Sequence, residues 1–154
     1  MTTAFGDRFA VPATLKQLVE NGHTGKKSGR GFYRYEARKT VPNPDALALQ
    51  KSADDAEFSR EMLAERLALL MANEGFRVLE EGVADSADDI DFAMILGTGF
   101  APFRGGPMTW ANSLGLGTVR EKLRRLVDSD GDAFRPAGLL SNAANLKELG
   151  RRHE

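Results

Sequence analysis

The chain has 154 residues, 42% of them apolar, with 21 Lys and Arg against 22 Asp and Glu, two His and no Cys. So even a balance excludes the large single-sign field that draws proteins to nucleic acid or a membrane surface, and the missing cysteines exclude disulfides and thiolate metal sites. No run approaches the ~18 apolar residues of a spanning helix, and Met1-Thr-Thr-Ala-Phe-Gly-Asp-Arg8 carries no basic region leading into an apolar one. The expectation is a cytoplasmic protein with a sizeable core.

Taken in chain order, the first signal is a short helix after Val11. Pro12 suits its first turn, Leu15, Leu18 and Val19 share a face, and Asn21-Gly22 stop it. A glycine-rich loop follows, Gly22-His-Thr-Gly25-Lys26-Lys27-Ser28-Gly29-Arg30-Gly31, running into the aromatics Phe32-Tyr33-Arg34-Tyr35. Residues 36–54 contain Val41-Pro42-Asn43-Pro44-Asp45 and little apolar pattern, which predicts a linker.

The strongest periodicity comes next. Phe58, Met62, Leu63, Leu67, Leu70, Met71, Phe76, Val78 and Leu79 keep helical spacing, with Ser52 or Ser59 as a start and Gly82 as a stop. Ser86-Ala-Asp-Asp89 opens a second helix that runs through Ile90, Ala93 and Met94 to Gly97. A Gly/Pro loop over 97–107 leads to a short helix at Trp110. Leu116, Val119, Leu123, Leu126 and Val127 then mark an amphipathic helix with Lys122, Arg124 and Arg125 outward. No alternating β-branched run appears, so the fold class is all-α. Gly6-Asp7-Arg8-Phe9 with Leu15 also lines up without a gap on Gly131-Asp132-Ala133-Phe134 with Leu140. This predicts two copies of one unit, with only the tail of the first present.

Several stretches invite chemistry. A Walker loop needs a hydroxyl directly after its lysine, but Lys27 follows Lys26, and the position five before Gly25 is Glu20. Gly25, Gly29 and Gly31 do not make a dinucleotide fingerprint either. The favoured reading is a glycine turn with solvated cations; the alternative is that Lys26, Lys27 and Arg30 touch an anionic ligand such as a CoA phosphate. In the second loop Pro102 stands where a third fingerprint glycine belongs, so Phe100, Phe103 and Trp110 are expected to pack beneath a tight turn. His23 and His153 have no recognisably spaced carboxylate or serine partner, which leaves no triad or acid–base pair. Asp88, Asp89 and Asp91 suit a helix's first turn better than a metal. Glu74, Glu80 and Glu81 read as a solvated face, with Asn73-Glu74 amid apolar neighbours.

Two sets of residues together resemble a known family. Leu18-Val19-Glu20-Asn21-Gly22 with Gly25-Lys26-Lys27-Ser28-Gly29-Arg30-Gly31-Phe32-Tyr33 is similar to the closing segment of the C-terminal domain of L-3-hydroxyacyl-CoA dehydrogenases. Asn73-Glu74-Gly75, Leu79-Glu80-Glu81-Gly82, Asp88-Asp89-Ile90-Asp91, Gly97-Thr98-Gly99-Phe100 and Pro102-Phe103-Arg104-Gly105-Gly106-Pro107 resemble a second copy. The multifunctional fatty-acid β-oxidation enzymes carry such a duplication. The resemblance implies a helical bundle of the 6-phosphogluconate dehydrogenase C-terminal-like type. Residues 1–35 would be the tail of a first helical domain, 36–54 a linker, and 55–154 the second domain. NAD and the catalytic His–Glu pair would lie on a Rossmann domain outside this chain, with no cofactor or metal here.

The family's helical domain contributes an asparagine in an Asn-Arg-Leu context; the matching residues here are Glu65-Arg66-Leu67. A carboxylate lacks the amide's N–H donor and adds charge where a thioester is to be polarised. The chain is therefore expected to hold no catalytic residue. The family's Trp-x-Asp is here Trp110-Ala111-Asn112, with no evident chemical consequence. The expected partners are the sister helical domain and the Rossmann domain of a parent enzyme, with acyl-CoA met only indirectly, and self-association of the isolated chain. A self-standing acyl-CoA-binding module is the alternative; nucleic-acid binding through Lys26, Lys27, Arg30 and Arg34 is disfavoured by the charge balance.

Overall fold

A computed structural model describes residues 11–49 and 58–142, which belong to separate units dividing between Glu57 and Phe58. The Gly6–Phe9 half of the internal repeat, and His153, lie outside the described residues.

The first unit opens with α1 (Ala13–Glu20), of which Leu18 is buried. It ends as Asn21-Gly22 predicts. Gly22 N–H donates to Val19 O at 2.9 Å and His23 N–H to Leu18 O at 2.8 Å, with Gly22 at φ 73, the bonding pattern of a left-handed helix stop. Residues 33–48 depart from expectation. β1 (Tyr33–Glu36) and β2 (Lys39–Pro42) form an antiparallel hairpin, Tyr33 opposite Pro42 and Glu36 opposite Lys39, and α2 (Pro44–Ala48) follows. Four-residue strands around an Ala37-Arg38 turn carry neither an alternating run nor a Gly-bearing hairpin signal.

What fastens this region is Asn43, fully buried. Its Oδ1 accepts from Asp45 N–H at 3.2 Å, capping α2, while its Nδ2 donates to Gly31 O at 2.7 Å and lies 3.3 Å from His23 Nδ1. One amide thus ties the glycine loop, the hairpin and the helix together.

The second unit is a bundle around α3 (Arg60–Glu80), α4 (Ala87–Thr98), α5 (Pro107–Leu114), α6 (Leu116–Asp130) and α7 (Gly138–Asn142). Ser59 caps α3 by accepting from Met62 N–H at 3.2 Å. Ser86 caps α4 by accepting from Asp89 N–H at 3.1 Å, and its hydroxyl donates to Asp89 Oδ2 at 2.6 Å. Leu69, Ala72, Phe76, Ile90, Met108, Trp110, Leu116, Val119, Leu123, Phe134 and Leu140 form the core. At roughly 1.5–3 kcal/mol for each large apolar side chain buried, this packing is what holds the helices together. The periodicity of α3 located the helix, but its first turns lie outside the core: Met62, Leu63 and Leu67 are exposed, whereas Leu69 is buried. Phe103, expected beneath the second loop, is 86% exposed; Phe100 and Trp110 do pack.

Three polar devices close the bundle. Buried Asp91 accepts from Met108 N–H at 2.6 Å and Thr109 N–H at 2.9 Å, so it caps α5 rather than solvating its own helix. Asn73 donates to Arg135 O at 2.9 Å and accepts from Ala137 N–H at 2.9 Å. Glu80, expected on a solvated face, accepts from Gly138 N–H at 3.2 Å.

Asp91→Asn keeps the volume but turns an amide N–H toward a backbone N–H and removes the charge. We expect a loss of about 2 kcal/mol, read as a fall in Tm of roughly 8–16 °C. Gly106→Ala should be at least as damaging, because Gly106 sits at φ 98 and a Cβ there would lie 2.3 Å from Asp91 Oδ1. Melting curves matching wild type for both variants would show that this carboxylate does not hold α5.

Candidate functional site

The glycine loop answers the phosphate question through its own backbone. Gly25 N–H donates to Arg30 O at 2.8 Å, Ser28 N–H to Gly25 O at 3.1 Å, Gly29 N–H to Lys26 O at 3.1 Å and Gly31 N–H to Tyr33 O at 2.8 Å. Thr24 N–H donates to Ser28 Oγ at 3.0 Å. A phosphate nest needs such N–H groups pointing outward together, and here they close on the chain. Gly31 also has no room for a side chain, since a Cβ would lie 2.9 Å from Gly25 Cα. The loop therefore offers no pyrophosphate cradle of the kind NAD requires. What it presents is Lys26, Lys27 and Arg30 on one exposed turn, with Lys26 Nζ 5.9 Å from the centre of the Tyr35 ring.

His23 is buried, its Nε2 3.8 Å from Asp45 Oδ2, and Asp45 also lies 3.9 Å from Arg34. With Nδ1 facing the Asn43 amide, this histidine is part of a structural latch. The acids of α4 separate rather than converge, Asp89 serving the α4 cap and Asp91 the α5 cap. Among the described residues no group of three His, Cys, Asp or Glu is placed to hold a metal ion.

A groove of about 870 Å³ runs along the first half of α3, between it and the 100–104 loop and α5. Its walls include Met62, Leu67, Met71, Phe100, Trp110 and Leu114, and Arg60, Glu61, Glu65 and Arg104 stand along it. Glu61's own backbone N–H, then the Ser59 hydroxyl, hold its carboxyl below the usual range. Glu65 is bound to Lys122 Nζ of α6 at 2.7 Å. Beside it Arg66 pairs with Asp130 at 2.5 Å, so two ion pairs tie this half of α3 to α6. Lys122, expected outward, has its ammonium turned to that carboxylate.

The second unit is thus a helical bundle with an apolar groove along the first half of its long helix. Residues 62–154 match the family model for the 3-hydroxyacyl-CoA dehydrogenase, C-terminal domain, and the chain belongs to that family. It is similar to the fatty acid oxidation complex subunit alpha of Vibrio vulnificus (strain CMCP6), 35% identical over 144 residues that cover 93% of this chain and 20% of that protein. The subunit of the same name from Shewanella loihica (strain ATCC BAA-1088 / PV-4) is 39% identical over 144 residues, covering 90% and 20%. That from Aliivibrio fischeri (strain ATCC 700601 / ES114) is 37% identical over 129 residues, covering 84% and 19%. The chain thus spans about a fifth of the length of the curated relatives it matches. No helix among the described residues is long and apolar enough to cross a membrane.

The family resemblance singled out Glu65 but not its partner, because Lys122 lies 57 positions away and only the α3–α6 packing brings them together. Asn43 carried no signal beyond a capping residue before a proline. With side chains 41% and 38% exposed, the Glu65–Lys122 pair is solvent-screened. A double-mutant cycle on Glu65→Gln and Lys122→Met should give a coupling below about 1 kcal/mol that shrinks with added salt; a large, salt-insensitive coupling would contradict that.

Proposed function

We propose that this chain is the C-terminal, non-catalytic helical part of a multidomain fatty-acid β-oxidation enzyme of the alpha-subunit type. In that parent, a cytoplasmic enzyme, 3-hydroxyacyl-CoA is oxidised to 3-oxoacyl-CoA by hydride transfer to NAD, which is held on a Rossmann domain outside this chain. Residues 1–35 close a first helical domain, and 55–154 are a second copy that packs on the first as a partner subunit would. Family membership and the names of the relatives support the parent's chemistry.

The Glu65–Lys122 pair is the observation that carries the non-catalytic part. Where the resemblance places an amide that donates to a substrate oxygen, this chain has a carboxylate already engaged by an ammonium at 2.7 Å. A carboxylate accepts and cannot donate, so it destabilises the negative charge that develops on a thioester oxygen. The packing role is supported by Phe92 and Leu96, one turn apart on α4 and 65% and 69% exposed, with the small Ala93 and Gly97 beside them. A second reading, direct contact with an acyl-CoA phosphate, is favoured by the exposed triplet Lys26, Lys27 and Arg30.

The chain alone should not reduce acetoacetyl-CoA with NADH; robust turnover by purified protein would overturn the non-catalytic assignment. Sedimentation across a concentration series should show self-association that Phe92→Ser with Leu96→Ser weakens, whereas a strictly monomeric wild type would argue against the packing role. Calorimetric titration of CoA decides the second reading: binding lost in Lys26→Ala plus Lys27→Ala supports it, and a flat wild-type titration removes it.

A further inference from the structure

The stop of α1 is built on the one Asn-Gly pair in the chain, Asn21-Gly22. Asparagine is among the thermolabile residues, and a following glycine has no Cβ to obstruct its own backbone nitrogen from reaching the amide. The structure leaves that reaction open here. Asn21 is exposed, and its side-chain amide has no hydrogen bond among the described residues. At φ −80 and ψ 7 its backbone is still in the helical turn, and Gly22 N–H is tied to Val19 O at 2.9 Å. Attack needs that bond to break and ψ to swing outward. Such an opening is shallow, because α1 has eight residues, too few to be stable alone, and Leu18 is its one buried residue.

The other candidates among the described residues are shielded. Asn43 precedes Pro44, whose ring nitrogen has no proton to give up. Asn73 is buried in α3 with its amide bonded at both ends. Asn112 and Asn142 lie in helices before residues that carry a Cβ. Asp130-Gly131 offers the same backbone, but Asp130 is ion-paired with Arg66 and accepts from Ser129 Oγ at 2.6 Å; a carboxylate so held is a poor electrophile.

We propose that Asn21-Gly22 is a spontaneous deamidation site whose products loosen the latch of the first unit. The Gly22 backbone nitrogen bonds to Asn21 Cγ and closes a succinimide ring; the Cγ–Nδ2 bond breaks, and ammonia leaves with the proton that the backbone nitrogen gave up. Water then opens the ring at either carbonyl, giving aspartate or, with an extra methylene in the main chain, isoaspartate. Each product places a negative charge at the C-terminal end of α1, where the dipole is already negative. The isoaspartyl link also lengthens the chain directly before His23, whose N–H donates to Leu18 O at 2.8 Å and whose ring faces the Asn43 amide. This inference is independent of the parent enzyme's chemistry.

The full chain is aged at neutral and mildly alkaline pH, with and without urea, and mapped by peptide mass spectrometry. The mass gained when an amide becomes a carboxylate should appear in the peptide holding Asn21 well before any other asparagine, and faster at the alkaline pH, because attack requires the backbone nitrogen to lose its proton. Folded protein should react more slowly than protein in urea, but by no more than roughly a hundredfold, since only the helix stop has to open. Asn21→Gln, which would have to close a larger ring, should stay unmodified at that position; circular dichroism melts verify that it folds. The aged form, separated by its added charge on an anion exchanger, should exchange the His23 and Asp45 amide hydrogens faster than fresh protein or Asn21→Gln aged alongside it. No preferential gain at Asn21, or a folded-state rate suppressed as far as global unfolding would suppress it, overturns the site. Unchanged exchange at His23 and Asp45 overturns its effect on the latch.

Discussion

The second unit depends on one buried carboxylate. Asp91 sits in the interior of α4, yet its oxygens belong energetically to α5, whose Met108 and Thr109 N–H groups they accept at 2.6 and 2.9 Å. A buried charge is tolerated only where donors replace water; the first turn of a helix supplies both donors and a positive dipole end. The neighbouring sequence follows from this contact. Pro107 fills the first helical position, where an N–H has no partner, and Gly106 can have no Cβ because Asp91 occupies the space. With α5 held there, Met108, Trp110 and Ala111 enter the core, and Gly75 lets Met108 approach α3 so closely that a Cβ would lie 2.5 Å from its sulfur. The separated Asp91 and Gly-Gly-Pro signatures are therefore two ends of one device.

The long helix α3 divides its length between structure and surface. Asn73, Arg77 and Glu80, spaced by four and three, share a face, and all three bind the chain over 135–138: Asn73 and Arg77 donate to Arg135 O, and Glu80 accepts from Gly138 N–H. Arg120 completes the closure by donating to Ser141 O at 2.9 Å at the end of α7. Among the described residues the first turns of the helix lack such partners apart from the ion pairs to α6, and the exposed Met62 and Leu67 border the groove instead of the core. A helix of one continuous periodicity can do both because the core needs only the side chains that other elements reach.

How much of this was legible from the residues depended on the range of the interaction. Helix starts and stops were readable because the caps at Ser59 and Ser86 and the stops at Gly22 and Gly82 act within four positions of themselves. The all-α class followed from periodicity, and the hairpin was hidden because its strands are four residues long and lack alternation. Burial along the first half of α3 was not legible, since periodicity gives a face but not how far along the helix that face is covered. The roles of Asp91, Asn73 and Glu80 were out of reach. Each has a plausible local reason to be polar, and each spends that polarity on a segment 17 to 64 positions away. The same separation concealed Lys122 from Glu65.

That difference in range bears on the proposal that position 65 replaces a family asparagine while the bundle stays intact. Position 65 is half-exposed, on the part of α3 that the core does not cover, and its side chain meets one solvent-screened partner on α6. Exchanging an amide for a carboxylate there costs little in stability, because water and Lys122 both solvate the charge. Position 91 has no such freedom: an amide in that place would face a backbone N–H with a donor of its own, inside the core. Residues that chemistry uses can change at the groove while those that position the helices cannot change at the α4–α5 contact. A bundle built this way can lose a reacting group and remain a scaffold, which is the physical argument behind the non-catalytic role proposed for Glu65.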